Sequence, residues 1–350
     1  MPGKIRSLLG TLIIAAALLV GAAAPADAIR IYDLKGRLVI LDKPVGKVLL
    51  GKGRFLTALA LLTKDPVSRV AGMFPDFETL DPDGFARFAE AYPALTDIPT
   101  FGAPGAGSLT LESALALKPD AAILGLGGHG LNASSEQAIE VLTAAGVPVI
   151  FIDFRNNPIV NTQHSMRVLG QVFGLQAEAE DFVKFYSREV SRVTDRMILY
   201  SGPRPTVFLD IKAGLTGECC FTVASGMLST LIDVAGGRNI AGGPIVLGAG
   251  IDAVLARRSL ISATLRRDIA ALGAIDTGRT YGIWHHFTNS PMNVYALQKF
   301  ATWLHPELFA DLDPEKTKAA LMSRLLPVRM DGVYAIGSLP FTANNSEQNQ

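Results

Sequence analysis

Cysteine is almost missing from this chain. There are 2 in 350 residues, and they are neighbours, Cys219 and Cys220. No disulfide framework can be built from them, so hydrophobic burial has to stabilise the fold. In its Gly-Glu-Cys-Cys-Phe turn the pair reads either as a vicinal disulfide or as two buried thiols. An excess of charge of one sign is missing too. The 32 Lys and Arg balance 32 Asp and Glu, which argues against nucleic acid or an anionic membrane as the main partner. Histidine is scarce, at 5 residues, and outside His285-His286 it is too scattered for a zinc hydrolase. The patterns HExxH, CxxC and GxSxG do not occur. After the first residues no apolar run is long enough to span a bilayer.

The exception is the beginning. Lys4 and Arg6 form a short basic start, Leu8 to Ala24 is almost wholly apolar, and Ala26-Asp27-Ala28 offers small residues at the two positions that signal peptidase reads. This predicts a cleaved secretory signal over 1–28 and a periplasmic mature protein. About 320 residues then remain, more than one core holds comfortably, which suits two lobes.

Strand and helix patterns alternate along the mature chain. IYDLKGRLVIL (31–41) reads as a hairpin. Short apolar strands are expected at 47–50, 67–73, 121–124 and 147–154, with helices at 54–62, 85–92, 109–116 (Ser108 as N-cap) and 134–145. The strand at 147–154 is apolar at nearly every position, as parallel strands covered on both faces are, and the alternation of strand and helix predicts an α/β half with a parallel sheet. From Gln176 to Ile198 there is neither Gly nor Pro, and Ala179, Phe182, Val183, Tyr186, Val190, Val193 and Met197 form a 3.6-residue stripe. At ~1.5 Å per residue this helix is roughly 35 Å long, enough to run from one lobe to another. The alternation resumes with strands at 206–211, 260–264 and 280–284 and helices at 227–235, 251–257, 293–304 and 314–325, before the polar tail ANNSEQNQ.

The stretch IPTFGAPGAGSLTLESALALKPDAAIL, with AAGVPVIFID, SMRVLGQVFGL, LIDVAGGRNIAGG, IDTGRTYGI and ALQKFATWLHPELFADLDP in this order, resembles the periplasmic binding proteins that serve iron-siderophore and cobalamin ABC importers. The resemblance covers nearly the whole mature chain. It implies an α/β fold of two Rossmann-like lobes with parallel sheets joined by one long α-helix: an N-terminal lobe over 29–175, a bridging helix over 176–199, a C-terminal lobe over 200–342 and a disordered tail over 343–350. It further implies a monomer that captures a metal chelate, a ferric siderophore first, and hands it to an inner-membrane permease. No cofactor is bound permanently, no chemistry is done on the ligand, and the rigid hinge implies only slight closure. The family docks through one acidic residue per lobe; Glu112, within LESALALKPD, and Asp252, within IDAVLARR, match these. One departure stands out: after Ala256 the family's Asn-Pro-Asp break and apolar strand are replaced by RRSLISATLRRDIAALGAIDTGR, which implies the loss of a small element near Leu260.

Ligands of such folds sit at the carboxyl ends of parallel strands, between the lobes. The residues just after strands are therefore the candidates: Lys52, Arg54, Phe74, His129, Phe154 and Arg155 on one side, Cys219, Cys220 and Phe221 and the run Trp284-His285-His286-Phe287 on the other. Arg54 and Arg155 suit carboxylate or catecholate oxygens. Trp284 and Phe287 suit a flat ligand. One of His285 and His286, at most, is expected to reach a metal directly. Haem, cobalamin and nickel or cobalt complexes stay open as cargo, as does a sensor or scavenger without a permease. Gly125-Leu126-Gly127-Gly128-His129-Gly130, with Asp153 ending the next strand, also satisfies the dinucleotide fingerprint. A dinucleotide-dependent enzyme is thus the minor alternative. Against it stand the signal segment, the third-strand position and a helix start several residues beyond the glycines.

Overall fold

A computed structural model describes residues 28–102, 108–209, 226–241, 248–249, 252–254, 256–257 and 273–337. Residues 1–27 of the expected signal, Cys219, Cys220, Phe221, the expected strand at 260–264 and the tail 343–350 lie outside them.

The chain enters as an antiparallel hairpin, β1 (Ile29–Tyr32) and β2 (Leu38–Leu41). Asp33 closes the turn: its Oδ1 accepts from the N–H of Lys35 at 2.9 Å and of Arg37 at 3.1 Å, and its Oδ2 pairs with the Arg37 guanidinium at 2.7 Å. The Leu34 N–H donates to the Phe151 carbonyl at 3.0 Å, which lays the hairpin along the edge of the first sheet.

That sheet is parallel, in the order β4-β3-β5-β6, from β3 (Val48–Leu50), β4 (Val70–Met73), β5 (Ala121–Gly125) and β6 (Val149–Ile152). All of its strand residues are buried, because helices cover both faces. Val48, Leu50, Ile123, Ile150 and Ile152 point into the large core, whereas Leu49, Ala122, Leu124 and Phe151 fill a smaller one. The connections are α1 (Leu56–Ala60), α2 (Asp76–Leu80), α3 (Pro82–Ala91), α4 (Leu111–Leu115) and α5 (Glu136–Ala144). Helix α4 is capped by Thr110, whose Oγ1 accepts from the Ser113 N–H at 3.2 Å; the expected cap, Ser108, lies two residues too early.

Helices α6 (Pro158–Phe173) and α7 (Gln176–Leu199) follow, separated by Gly174 in the left-handed conformation, φ 71°. Helix α7 buries Ala179, Phe182, Val183, Tyr186, Val190 and Val193, as its stripe predicts, together with Phe185 and Glu189. A second parallel pair comes next, β7 (Thr206–Phe208) and β8 (Arg238–Ala241), spanned by α8 (Met227–Val234). The remaining elements are β9 (Gly248–Ala249), α9 (Gly273–Asp276), β10 (Tyr281–Ile283), α10 (Asn293–Leu304), α11 (Pro314–Leu325), β11 (Gly332–Val333) and β12 (Ala335–Gly337). Strand β10 pairs with β12, and β9 with β11, both antiparallel. The architecture is α/β, with parallel sheets in two lobes and one long helix joining them.

Buried polar contacts fasten that helix. Tyr186 Oη lies 2.6 Å from Asn293 Oδ1 and 3.2 Å from the Pro158 carbonyl oxygen, and Asn293 Nδ2 donates to Thr162 Oγ1 at 2.9 Å. Gln298 Nε2 donates to the Glu189 carbonyl at 3.0 Å, and the Thr317 hydroxyl donates to the Glu189 carboxylate at 3.2 Å. Helix α7 is thereby bonded to α6, α10 and α11. One apolar cluster runs unbroken from Ile31 through α6 and α7 to Tyr334.

Candidate functional site

The carboxyl ends of β3, β4, β5 and β6 open on one edge of the sheet, where the chain turns through Lys52, Phe74, the 126–130 loop and Arg155. Strand β10 brings Trp284, His285 and His286 to the same place from the other lobe.

Arg54 sits at the centre, in a single 3-10 turn (Gly53–Phe55), and is only 6% exposed. Its Nε donates to Asp76 Oδ2 at 2.9 Å. Asp76 is itself fixed, since its Oδ1 accepts from the Gly53 N–H at 2.6 Å. Both partners of this pair are buried, so removing Asp76 alone would strand a cation at a cost of about 3–5 kcal/mol. Arg54 Nη1 lies 3.3 Å from His286 Nδ1, a contact between residues 232 apart in sequence. Its Nη2 is buried without a partner.

Lys52 is 2% exposed. Its ammonium donates to the Gly127 carbonyl and lies 5.6 Å from the centre of the Phe55 ring. Burial first, then the Arg54 charge, pull its pKa down to about 8. Two glycines, one ending β5 and one in the loop, leave room for this side chain. A Cβ on Gly125 would stand 2.5 Å from Lys52 Cε, and one on Gly130, which has φ +80°, would strike the Gly51 carbonyl oxygen. The G-x-G-x-x-G pattern is thus occupied by protein: the loop wraps a lysine, and α5 begins only at Glu136.

Arg155 is half-buried and stands over the same loop; burial and then the Arg54 charge hold its pKa below the usual value. His129, exposed on the loop, is held below its ordinary pKa by the desolvation of its surroundings and by Arg54 and Arg155. His285 presents its side chain to solvent at the lip, yet protein crowds it closely. Desolvation, Arg54 and His129 push its pKa down to about 4. His286 is buried behind it, with ring centres 3.8 Å apart, and is pushed down further by desolvation and His285. Asp81, the N-cap of α3, is buried nearby; desolvation raises its carboxyl to about 6, against the opposing hydrogen bond from the Gly84 N–H at 3.1 Å.

These positions sort the residues named from sequence. Lys52, Arg54, His129, Arg155, His285 and His286 come together as one cationic recess with contributions from both lobes. Phe74 is half-buried at the end of β4. Three aromatic assignments need correction. Phe154 is 1% exposed and meets Phe55 edge-on at 5.8 Å; Phe287 is fully buried; Trp284 is 7% exposed and packs edge-on against His286, Phe287 and Tyr334. They are core rings that back the recess, and none offers a face to a ligand. Glu112, in the first turn of α4, and Asp252 are exposed, and Asp252 Oδ1 accepts from the Val254 N–H at 2.8 Å. Sequence reading missed Asp76, although its position just after β4, at the first residue of α2, is the same strand-end signal that found Arg54. Among the described residues no three His, Cys, Asp or Glu side chains are grouped to hold a metal ion, and no helix is long and apolar enough to cross a membrane.

Residues 79–246 match the family model described as Periplasmic binding protein. Among solved structures, the chain is similar to the TroA-like periplasmic binding protein FepB from Veillonella parvula, with 24% identity over 89% of this chain and 100% of that one and a TM-score of 0.77. It is similar to the molybdate periplasmic binding protein MolA of a Haemophilus influenzae ABC transporter, with 14% identity over 87% and 99% of the chains and a TM-score of 0.62. It is also similar to Helicobacter pylori CeuE with Ni(II) bound, with 14% identity over 86% and 95% and a TM-score of 0.55. At these identities the likeness establishes the fold. No curated protein matches the chain. The resemblance inferred from the sequence motifs is upheld by these matches.

Proposed function

We propose that this periplasmic binding protein captures an anionic metal chelate, a ferric siderophore first, and delivers it to the permease of an ABC importer. The observation that carries the reading is the cationic recess between the lobes. Lys52, Arg54 and Arg155 converge there, opposed among the described residues by the buried carboxyls of Asp76, Asp153 and Asp81, and the Arg54 Nη2 donor is unpartnered. An anionic chelate supplies the missing countercharge and brings its own metal donors. The planar arginine fork suits the carboxylate or catecholate oxygens at its rim. Exposed His285 beside Arg54 favours a second reading, a chelate that leaves one metal position open to an imidazole, as haem or a nickel complex does. Neither reading requires chemistry on the ligand. The basic start and apolar run before Ile29 fit delivery to the periplasm.

Titration of the mature protein with ferric siderophores, haemin, cyanocobalamin and nickel-histidine, followed by tryptophan fluorescence, tests the cargo. Trp284 packs on His286 and reports from behind the recess. Saturable quenching by one anionic chelate, lost in Arg54→Gln, is the expected result; silence across the panel with the protein folded refutes it. Reversal of Glu112 and Asp252 to Lys is expected to abolish uptake and leave affinity intact, and uptake that survives the double reversal refutes docking through these residues.

A further inference from the structure

We infer that His286 is a positioning residue, which reaches across from the C-terminal lobe to hold the Arg54 guanidinium so that Nη2 is left for the anionic group of the cargo. The inference rests on the anion-binding reading of the recess. An arginine fork has three nitrogens, and here each has a different fate. Nε is bonded to Asp76 at 2.9 Å, Nη1 faces His286 Nδ1 at 3.3 Å, and Nη2 is buried with no protein partner. With Nε and Nη1 anchored on opposite lobes, the plane of the guanidinium is fixed, and the direction in which Nη2 donates is fixed with it. A flexible arginine would have to be ordered by each incoming ligand; a clamped one has that entropy removed in advance.

The chemistry requires one tautomer. Nδ1 can accept from Arg54 only if the ring is neutral with its proton on Nε2. The Arg54 contact selects the tautomer, since a guanidinium can only donate, and the surroundings favour the neutral ring. The imidazole is 7% exposed, lies against His285 at 3.8 Å and beside the Arg54 cation, and is pressed edge-on by Trp284 at 5.1 Å. A histidine engaged in this way is not a metal ligand, so of the two histidines only His285 keeps that capacity. The sequence places both in one loop and cannot separate them; their partners do.

Ferric dicitrate, an anionic carboxylate chelate, serves as the probe for three variants. His286→Leu keeps most of the volume and loses the acceptor. His286→Asn keeps an acceptor close to the Nδ1 position. Arg54→Gln removes the donor. The expected pattern is a loss of affinity of about tenfold in His286→Leu, the value of one hydrogen bond, near-full rescue in His286→Asn, and abolition in Arg54→Gln. Equal loss in the Leu and Asn variants, or none in either, overturns the positioning role while leaving the anion site standing. Long-range nitrogen–proton spectra of the unliganded protein decide the matter without any ligand. A neutral ring protonated at Nε2, perturbed in Arg54→Gln, supports the inference. A ring protonated at Nδ1, or charged at pH 7, overturns it. Failure of the probe to bind counts against the anion reading alone, and the ring state then decides the role of His286.

Discussion

Lys52 gives the most exacting test of the site's electrostatics. Its pKa falls from 10.5 to about 8, through burial first and the Arg54 charge second. The folded value is depressed, so between the two pKa values the unfolded chain binds the proton more tightly than the folded one. Stability must therefore rise with pH across this window. Below pH 8 the buried ammonium costs about 3 kcal/mol relative to an unshifted lysine, and the cost vanishes above pH 10.5. Between pH 7 and pH 10 roughly 2–3 kcal/mol of stability should return. Because Lys52 is 2% exposed, solvent screening does little to reduce this. Tyrosines and surface lysines titrate in the same range, so the measurement has to be a difference: urea unfolding of the wild type and of Lys52→Met, each at pH 7 and pH 10. The wild type should gain on the variant by that amount. At pH 7 the two should lie close together, because the variant loses the charged hydrogen bond to the Gly127 carbonyl but also the desolvation penalty. A pH-independent difference would show that the ammonium is solvated and that the glycine loop does not enclose it.

Four further outcomes are expected. Asp81 has its folded pKa raised to about 6 from 3.8, so its stabilising contribution is complete below the unfolded value and is lost as pH rises through 6; Asp81→Asn, which keeps an acceptor for the Gly84 N–H, should gain about 1–2 kcal/mol at pH 7.5 in urea titrations and nothing at pH 3.5. Gly130→Ala should lose about 2 kcal/mol or more, from positive φ together with the collision with the Gly51 carbonyl. Gly146→Ala, at φ +74° in open space, isolates the backbone part and should lose only about 1 kcal/mol when both glycine variants are compared in thermal melts. Tyr186→Phe leaves Asn293 Oδ1 and the Pro158 carbonyl without their phenol, and should lower stability by about 1–3 kcal/mol with an unchanged denaturant slope; a loss below 0.5 kcal/mol would mean that the network does not fasten α7.

Elements that bury one clean apolar face were legible in the sequence. Helices α10 and α11 and the long helix α7 appear where periodicity puts them. Helix α6 escaped notice because its buried face carries Thr162 and Ser165, which serve Asn293 and Asp153 and interrupt the stripe. At the site, strand ends pointed to Arg54, Arg155 and His285, which the fold brings together in one recess. The same rule misread Phe154 and Phe287, since an aromatic ring after a strand turns into the core as readily as into a cleft. The bonds that orient Arg54 were invisible for a different reason. Asp76 and His286 act at 22 and 232 residues' distance along the chain, and no local pattern encodes which carboxylate or imidazole will meet a given guanidinium.

The unbroken core through α6 and α7, stapled by Tyr186, Asn293 and Glu189, has a consequence for traffic at the membrane. A body fastened in this way would offer a permease nearly the same outer face whether its cleft is full or empty. Under the docking proposed here, unloaded copies compete with loaded ones for the same landing site. Flux would then follow the ratio of cargo to receptor, and overproducing the receptor without its chelate would slow uptake.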